Sequence, residues 1–393
     1  MMNPTFGKAL AGVRVLDFSW VLTGPICTRI LAMLGAEVIK VESRSRPDLS
    51  SRDWIMPLVN EHKKSCTIDL KNERGQELAR QLVTQSDVVV ETFSTGVMER
   101  LGLSYETLRE LNPRAIIASS SALGRTGPNR GDIAYGSLLQ AWAGWGALSS
   151  YSDDEPVYFG GVWADPFSGT TLAFAVLAAL YDRERTGIGQ HIDLSMVEVL
   201  LSALAEPLLE GEISGAAPKV RRNRDNRRAP QGVYPCLGAD AWVSLSVGSD
   251  SAWSRLCSLI DSPELADDGA LREAAARMTQ HDEIDTIIAS WTSGRTADDV
   301  VRAMQAIGVA AGAVAKPAAL ASDPHLHARA FFAELRGTEG SLVPGLPWRL
   351  DGNRIEELDP CPEVGGDNDH VFGEILGLDR ATIQDLIDAR VIY

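Results

Sequence analysis

The sequence is short of basic charge and of long apolar runs. Its 393 residues include 37 Lys and Arg against 53 Asp and Glu, which gives a formal net charge of -16. That balance disfavours nucleic acid and anionic membrane as main partners, because both repel an acidic protein. No run of about 18 uncharged apolar residues is present, so we expect no membrane span. Residues 1–8 lack the apolar core of a signal peptide, and we expect none.

Cysteines are also few and scattered. There are five, an odd number, and no CxxC pair occurs among them. Neither a disulfide framework nor a zinc site is indicated, and this usage fits a reducing compartment, so we predict a cytoplasmic protein without a metal. The cysteines are Cys27, Cys66, Cys236, Cys257 and Cys361.

A dinucleotide fingerprint is missing where a βαβ unit would carry one. Val13–Phe18 and Glu37–Glu42 predict strands, and the segment between them predicts a helix. The connection after the first strand, residues 19–25, contains no GxGxxG, although Thr23 and Gly24 could still offer backbone N–H groups to a ligand. Strands and helices go on alternating along the first half of the chain. We therefore predict an α/β fold with a doubly wound, mostly parallel sheet.

The length of the chain predicts two domains. From Val233 onward the pattern changes to short strands and helices, and Ala241–Val247 alternates as an antiparallel strand does. We interpret this part as a smaller α+β domain that ends near Leu335. The basic segment Lys219–Arg228 has little apolar content and indicates a linker or crossover before it.

Asp165 lies in the segment Gly160–Pro166, just before a long apolar run. We predict that Asp165 caps the N-terminus of a helix, with Pro166 at the first helical position. A carboxylate at that place lies in the positive field of the helix end, which predicts a lowered pKa and an ionised oxygen. The two preceding glycines let a ligand approach closely. Most such aspartates are only caps, but an ionised, approachable oxygen also suits a nucleophile.

Short segments in a fixed order resemble one known family, and they extend over nearly the whole chain. They are Gly12–Asp17, Gly24-Pro25, Leu34–Glu42, Lys63–Ser65, Asp69–Lys71, Asp87–Phe93, Arg100–Leu103, Leu111–Arg114, Asp165, Ala178–Leu180, Arg185–Gln190, Asp323–His325, Ala328-Arg329 and Pro344-Gly345. No single segment is specific. The ordered set resembles the class III CoA-transferase family, of the CaiB–BaiF type.

The resemblance implies an architecture and a set of ligands. It implies a large Rossmann-like domain made of residues 1–218 and 336–393, a smaller inserted α+β domain at 229–335, and a crossover linker at 219–228. It implies an interlocked homodimer, whose subunits are linked like chain rings. The implied ligands are an acyl-CoA and a carboxylic acid, with no cofactor beyond coenzyme A, which is part of the substrate.

The resemblance also implies a covalent mechanism. The aspartate at the position of Asp165 attacks the acyl-CoA thioester and forms a mixed anhydride. CoA thiolate then gives an aspartyl-CoA thioester, and the acceptor carboxylate runs the steps in reverse. The positions that match CoA contacts are Leu22, Thr23, Ile68, Leu70, Lys71, Phe93 and Arg100. Two further expected contacts depart from the family pattern: Thr92 stands where the family has Asn, and Arg44 substitutes for an arginine that some members have at the position of Ser43. We expect the acyl group to lie near Tyr135, Gly160, Gly161 and Trp163.

Other activities stay open at this point. An α-methylacyl-CoA racemase resembles the chain too, but its histidine is replaced by Gly131 in Arg130–Asp132, and proton transfer needs a positioned acid or base there. An intramolecular CoA-transferring isomerase is a second alternative. A non-catalytic nucleotide-binding protein is an alternative of a different class, and labelling of an aspartate by acyl-CoA would discriminate against it.

Overall fold

A computed structural model describes residues 8–44, 56–150, 155–157, 160–216 and 222–393. The chain divides into two compact units. The first comprises Met1–Trp145, Phe159–Ala216 and Pro324–Tyr393, and the second comprises Gly146–Tyr158 and Ala217–Asp323.

The strands, in chain order, are β1 (Arg14–Asp17), β2 (Glu37–Glu42), β3 (Lys64–Thr67), β4 (Val88–Glu91), β5 (Ile116–Ser121), β6 (His191–Ser195), β7 (Gln231–Pro235), β8 (Trp242–Ser246), β9 (Ala310–Ala313), β10 (Phe332–Leu335), β11 (Leu342–Pro344) and β12 (Glu357–Leu358).

The α-helices are α1 (Thr23–Met33), α2 (Met56–Val59), α3 (Glu73–Thr84), α4 (Val97–Arg100), α5 (Tyr105–Leu111), α6 (Gly136–Trp142), α7 (Trp145–Leu148), α8 (Ala164–Thr186), α9 (Met196–Ser202), α10 (Ala205–Ser214), α11 (Asp250–Leu259), α12 (Pro263–Asp267), α13 (Ala274–Thr279), α14 (His281–Ser293), α15 (Ala297–Ala306), α16 (Pro317–Leu320), α17 (Pro324–Ala328) and α18 (Arg380–Asp388). Gly269–Leu271 forms a 3-10 turn and Asp369–Ile375 a π-helical segment.

A six-stranded sheet in the order β3-β2-β1-β4-β5-β6 forms the centre of the first unit. Neighbouring strands are parallel, with Arg14 opposite Glu37 and Val88 opposite Ile116. This confirms the predicted parallel sheet, and the order is that of doubly wound dinucleotide-binding domains. The strand order reverses between β1 and β4. In such sheets ligands bind at that point, outside the carboxyl ends of the strands.

The sheet is covered on both faces, and β4 shows why. Val88 and Val90 belong to one core cluster, and Val89 belongs to the other. Because successive side chains in a strand point to opposite faces, a strand covered on both sides needs consecutive apolar residues. The run Val88–Val90 has that pattern, and all three residues are fully buried.

Different helices cover the two faces. Helices α1, α6, α8 and α9 contribute buried side chains to the first cluster, while α3, α5 and α18 contribute to the second. Helix α8 has 23 residues, which makes it the main element on its face. Its buried residues Leu172 and Val176 pack into the same cluster as Ile116 and Ala118 of β5. This packing places the first turn of α8 near the carboxyl ends of the strands.

The second unit has its own antiparallel sheet in the order β7-β8-β9. In β8, Val243 and Leu245 are buried while Trp242 and Ser244 are exposed, which is the predicted alternation. The core of this unit also takes Trp253 from α11. The unit therefore combines a small antiparallel sheet with helices, as the sequence predicts.

Residues 324–335 belong to the first unit, although the sequence analysis placed them in the smaller domain. Strand β10 is the middle strand of a small sheet, β11-β10-β12, and its residue Ala333 is buried in the first unit's core. In the expected crossover, residues 219–221 lie outside the described residues. Further along that segment, Arg224 forms ion pairs with Asp282 and Asp285 of α14.

Across the described residues, no helix combines the length and the apolar character that crossing a bilayer requires.

Candidate active site

Asp165 lies in the first turn of α8. The helix begins at Ala164, and its N-cap is Trp163, whose φ and ψ are -60° and -28°. The prediction that Asp165 is itself the cap is therefore wrong. The Asp165 side chain is buried, with only 7% of the residue exposed. Its carboxylate can thus take part in tertiary contacts that a capping residue at the surface would not make.

The hydroxyl of Thr23 donates a hydrogen bond to Asp165 Oδ1 over 2.8 Å. Thr23 is the first residue of α1 and is itself buried. The two helices approach closely because α8 carries Gly169, where a Cβ would lie 2.6 Å from the Thr23 carbonyl oxygen and 2.9 Å from Ile26. Gly169 therefore permits the approach that brings a hydroxyl to the carboxylate.

The second carboxylate oxygen of Asp165 lies against Gly136, the first residue of α6. A Cβ placed on Gly136 would overlap Oδ2. Any other residue at this position would displace the carboxylate or itself be displaced. Thus Thr23 holds Oδ1, and the absence of a side chain at Gly136 leaves room for Oδ2.

Burial raises the pKa of the Asp165 carboxyl above its ordinary value, and the hydrogen bond from Thr23 offsets only part of that rise. The prediction of a lowered pKa is wrong, since the loss of surrounding water outweighs the groups that favour the ionised form. Above its raised pKa the group is an ionised carboxylate. With few hydrogen bonds to water, it is more basic than an exposed one.

Asp165 lines a cavity of about 760 Å³, a volume that includes open space at its mouth. Residues of the segments after β1 and β4, and the last residues of β5, line it as well. The cavity therefore lies where the strand order reverses, at the position expected for a ligand site. These lining residues are Trp20 and Val21 after β1, Thr92 and Phe93 after β4, and Ser120 and Ser121 in β5.

An ion pair and a backbone hydrogen bond hold the glycine-containing loop 124–131 beside this cavity. Arg125 forms an ion pair with the buried carboxylate of Glu91, at the end of β4. The backbone N–H of Arg125 also donates to Asp193 Oδ1 over 3.1 Å. Glu91 Oε2 in turn accepts from the N–H of Phe93 over 2.9 Å. One buried carboxylate thus fixes both the loop and a residue of the cavity wall.

A second buried cluster ties β1 to α1. Asp17 is fully buried; its Oδ2 accepts from Thr28 Oγ1 over 2.6 Å and from Lys63 Nζ over 3.3 Å. Lys63 also donates to the carbonyl oxygen of Pro25 over 3.0 Å. Burial alone would raise the pKa of Asp17, but Lys63 and Lys40 together hold it below its ordinary value. These contacts fix the helix that carries Thr23.

The residues expected to contact CoA divide into two groups. Thr23, Thr92 and Phe93 line the cavity together with Asp165. Leu22 precedes α1 as its N-cap, and its side chain makes no capping bond. The structure therefore brings the segments after β1 and β4 to the candidate nucleophile.

The other expected CoA contacts are not among the cavity-lining residues in the described part of the chain. Ile68 has a buried side chain in the second core cluster, and Leu70 packs against that cluster. Lys71 is exposed on the segment after β3, and Arg44 is exposed after β2. Arg100 is the last residue of α4.

Of the residues expected near the acyl group, one lines the cavity and three do not. Tyr135 lines the cavity as the N-cap of α6. Gly160, Gly161 and Trp163 instead form the approach to α8, outside the described cavity lining. Gln140 fixes this approach: its Oε1 accepts from the Trp163 N–H over 2.7 Å, and its Nε2 donates to the Gly161 carbonyl over 3.1 Å.

The sequence patterns did not indicate roles for the Thr23 hydroxyl, Gly136 or the serines that end β5. One signal for the serines was available. Ser119–Ser121 is a polar run at the carboxyl end of a buried strand, and that end of a parallel sheet is where ligands bind. Gly136 and the Thr23 hydroxyl had no comparable local signal, since both act through contacts with α8.

No group of three or more His, Cys, Asp or Glu side chains is placed to hold a metal within the described ranges.

Comparison with known proteins identifies the family. Residues 10–368 match the model of CoA-transferase family III. The chain belongs to CoA-transferase family III. The resemblance stated from the sequence is thereby confirmed.

Relatives and solved structures agree with this assignment. The succinyl-CoA–D-citramalate CoA-transferase of Chloroflexus aurantiacus is 32% identical, with 98% of each chain covered. The succinate–glutarate CoA-transferase of Agrobacterium fabrum is 32% identical, with 96% of this chain and 98% of the relative covered. A crystal structure of a CaiB/BaiF family protein from Brucella suis superposes with a TM-score of 0.85 at 29% identity, covering 94% of this chain and all of that one.

Proposed function

We propose that this protein transfers CoA from an acyl-CoA donor to a carboxylic acid, with Asp165 as the covalent nucleophile. One observation supports it most directly: Asp165 is a buried carboxylate that lines the cavity at the sheet's switch point. Thr23 holds one of its oxygens, and Gly136 leaves room around the other. Such a group is oriented for attack, and covalent catalysis divides a difficult transfer into easier steps.

The steps balance without an added oxidant or metal. A carboxylate oxygen of Asp165 bonds to the thioester carbon, the C–S bond breaks, and CoA leaves as thiolate, which gives a mixed anhydride. The thiolate then attacks the Asp165 carbonyl carbon and releases the donor acid, which leaves an aspartyl-CoA thioester. The acceptor carboxylate attacks the aspartyl carbon of that thioester, the C–S bond breaks, and a second mixed anhydride forms with release of CoA thiolate. The thiolate then attacks the acceptor's carbonyl carbon, which gives the new acyl-CoA and frees the Asp165 carboxylate.

Succinyl-CoA is the first donor to test, because one relative is named for it and another for succinate. Arg130 lines the same cavity as Asp165. A guanidinium there supplies charge for the second carboxylate of a dicarboxylic acid, to which it can bind in bidentate fashion. We propose dicarboxylic acids as the acceptor class.

The remaining features of the proposal come from the resemblance and from the free thiols. We propose an interlocked homodimer, with the second unit as the inserted small domain. Arg44 and Arg100 are proposed as phosphate contacts of CoA, each able to form charge-assisted bonds. All five cysteines are unpaired, which fits the cytoplasm as the site of action.

Asp165→Asn tests the nucleophile. Asn keeps the volume and can still accept the Thr23 hydrogen bond, but it cannot form an anhydride. We expect a folded variant whose transfer rate is reduced by at least about 10³-fold, as for removal of a covalent nucleophile. Wild-type protein incubated with succinyl-CoA and then hydroxylamine should carry a hydroxamate on Asp165, visible in the peptide mass.

The raised pKa of Asp165 predicts how the stability of Asp165→Asn compares with that of the wild type. The folded-state pKa of Asp165 is raised above its ordinary value, so the ionised group costs stability above that pKa and ceases to do so as the pH falls through it. Asp165→Asn should thus be at least as stable as the wild type at pH 7.

Asp132→Asn is the matched control, because Asp132 is another carboxylate that lines the cavity. It should still give the Asp165 hydroxamate. A hydroxamate on a different carboxylate, or near-normal transfer by Asp165→Asn, would contradict the proposal.

A further inference from the structure

The Ser120 side chain lies on the face of the sheet that is covered by α8, the helix that carries Asp165. In β5, Ile116 and Ala118 pack in the core cluster that contains Ala164, the first residue of α8. Side chains in a strand alternate between faces, so Ser120 follows Ile116 and Ala118 onto that face. The register agrees, since Ser120 pairs with Leu194 of β6, which belongs to the same cluster.

The hydroxyl of Ser120 is buried without a partner. Ser120 is 1% exposed, and its Oγ has no hydrogen-bond partner among the described residues. Burying an unsatisfied hydroxyl costs free energy, and an alanine would avoid that cost at this place. The preceding serine differs, because Ser119 Oγ lies 3.1 Å from His191 Nε2.

Ser120 also lines the cavity of Asp165, together with three threonines whose hydroxyls are already engaged. Thr23 donates to Asp165, Thr95 donates to the carbonyl of Arg130, and Thr92 accepts from the N–H of Trp20. Ser120 and Ser121 are both cavity-lining serines of β5 whose hydroxyls have no partner among the described residues. Successive strand side chains point to opposite faces, so of these two only Ser120 shares the face that α8 covers.

We propose that Ser120 is a further catalytic residue, whose hydroxyl donates a hydrogen bond to the acyl oxygen of the group that Asp165 attacks. This inference rests on the proposed function. When the Asp165 oxygen bonds to the thioester carbon, the carbonyl electron pair moves onto the acyl oxygen. When that pair returns, the C–S bond breaks and CoA leaves as thiolate. Ser120 keeps its proton throughout and stabilises the transient negative charge.

Ser120→Ala removes the donor and should slow the acylation of Asp165. The measurement is the single-turnover rate with saturating succinyl-CoA, followed by hydroxylamine trapping at timed intervals. We expect a rate about 10²-fold lower, the usual effect of removing one donor to an oxyanion. The apparent affinity for succinyl-CoA should change far less than the rate, because the bond strengthens as charge develops.

Ser168→Ala is the matched control. Ser168 is a fully buried serine of α8 with an equally unpartnered hydroxyl, and it lies outside the described cavity lining. Both alanine variants should unfold at the same temperature as the wild type or above it, since each removes an unsatisfied buried group. Only Ser120→Ala should be slow. Ser120→Cys, with a weaker donor of similar shape, should have an intermediate rate.

The outcomes separate this inference from the proposed function. If wild-type protein forms no Asp165 adduct with succinyl-CoA or with any other donor of an acyl-CoA panel, the proposed function fails, and the role of Ser120 fails with it. If the wild type forms the adduct and Ser120→Ala forms it as fast as Ser168→Ala does, the role of Ser120 is overturned while the nucleophile stands. Slow adduct formation in Ser120→Ala alone, with full stability, supports both.

Discussion

At the scale of single residues, the site depends on contacts between distant parts of the sequence. Thr23 and Asp165 are separated by 142 positions. The sequence pattern selected both, Thr23 for its backbone and Asp165 for its carboxylate. Their hydrogen bond follows from how closely α1 and α8 pack, and no local pattern reports that. The pKa of Asp165 was predicted with the wrong sign for the same reason, because its burial is a tertiary property.

Thr23→Val should shift the pH dependence of the reaction. The Thr23 hydrogen bond favours the ionised form of Asp165 and so lowers the pKa of a carboxyl that burial has raised. Its loss raises that pKa further. In the wild type the acid limb of kcat/KM should lie above the ordinary Asp pKa of 3.8, and in the variant at higher pH still. Measured activity should therefore fall more at pH 5 than at pH 8.

Thr171→Val is the control for this shift. Thr171 is exposed on α8, and its hydroxyl donates to the Phe167 carbonyl of the same helix. The same chemical change there should leave the acid limb in place. Coincident pH profiles for Thr23→Val and the wild type would show that the Thr23 hydroxyl does not act on the reacting carboxylate.

At the scale of elements, the sequence predicted the strands better than the polar contacts between elements. Strand β2 has the predicted bounds, Glu37–Glu42. Its neighbour α1 begins at Thr23, and no side chain caps it. The helix is held instead by the buried cluster around Asp17 and Lys63. Such a cluster cannot be predicted from periodicity, because it joins residues from three separate segments.

Lys63→Met should destabilise the protein strongly. It removes the cation from a pair that is fully buried, with Lys63 Nζ 3.3 Å from Asp17 Oδ2. Loss of Lys63 leaves the buried Asp17 carboxylate with Lys40 as its remaining nearby cation, and breaking one partner from a buried pair costs about 3–5 kcal/mol. Chemical denaturation at pH 7 measures the free energy of unfolding. Transfer activity should fall as well, since the start of α1 carries Thr23.

The double variant Asp17→Asn with Lys63→Met is the matched test. It removes both charges, so it should be more stable than Lys63→Met alone. If the single variant loses less than about 1 kcal/mol, or if the second change gives no recovery, the pair does not hold α1 in the way inferred here.

At the scale of the whole molecule, the first unit carries large apolar side chains on its surface. Phe174 and Tyr181 of α8 are 73% and 71% exposed, and Leu209 and Ile213 of α10 are 61% and 85% exposed. The sequence did not reveal this surface. A helix as apolar as α8 looks buried on all sides, and only the structure separates its core residues from its exposed ones. Phe174 and Tyr181 are seven residues apart and therefore share one face of α8. Exposed apolar side chains grouped on one face are typical of a protein–protein interface, and we propose this face of α8 for the homodimer interface.

Phe174→Glu tests that interface. If Phe174 is buried between two subunits, its replacement loses about 1.5–3 kcal/mol of apolar burial and also places a charge in the interface. The dimer dissociation constant should then rise at least tenfold, or about 1.4 kcal/mol. Sedimentation over a range of protein concentrations should show the wild type as a dimer throughout and the variant dissociating.

Ser258→Glu adds the same charge to an exposed position on α11 and should leave the dimer intact. An active wild-type monomer would refute the dimer, whereas an unaffected Phe174→Glu dimer would place the interface on another surface.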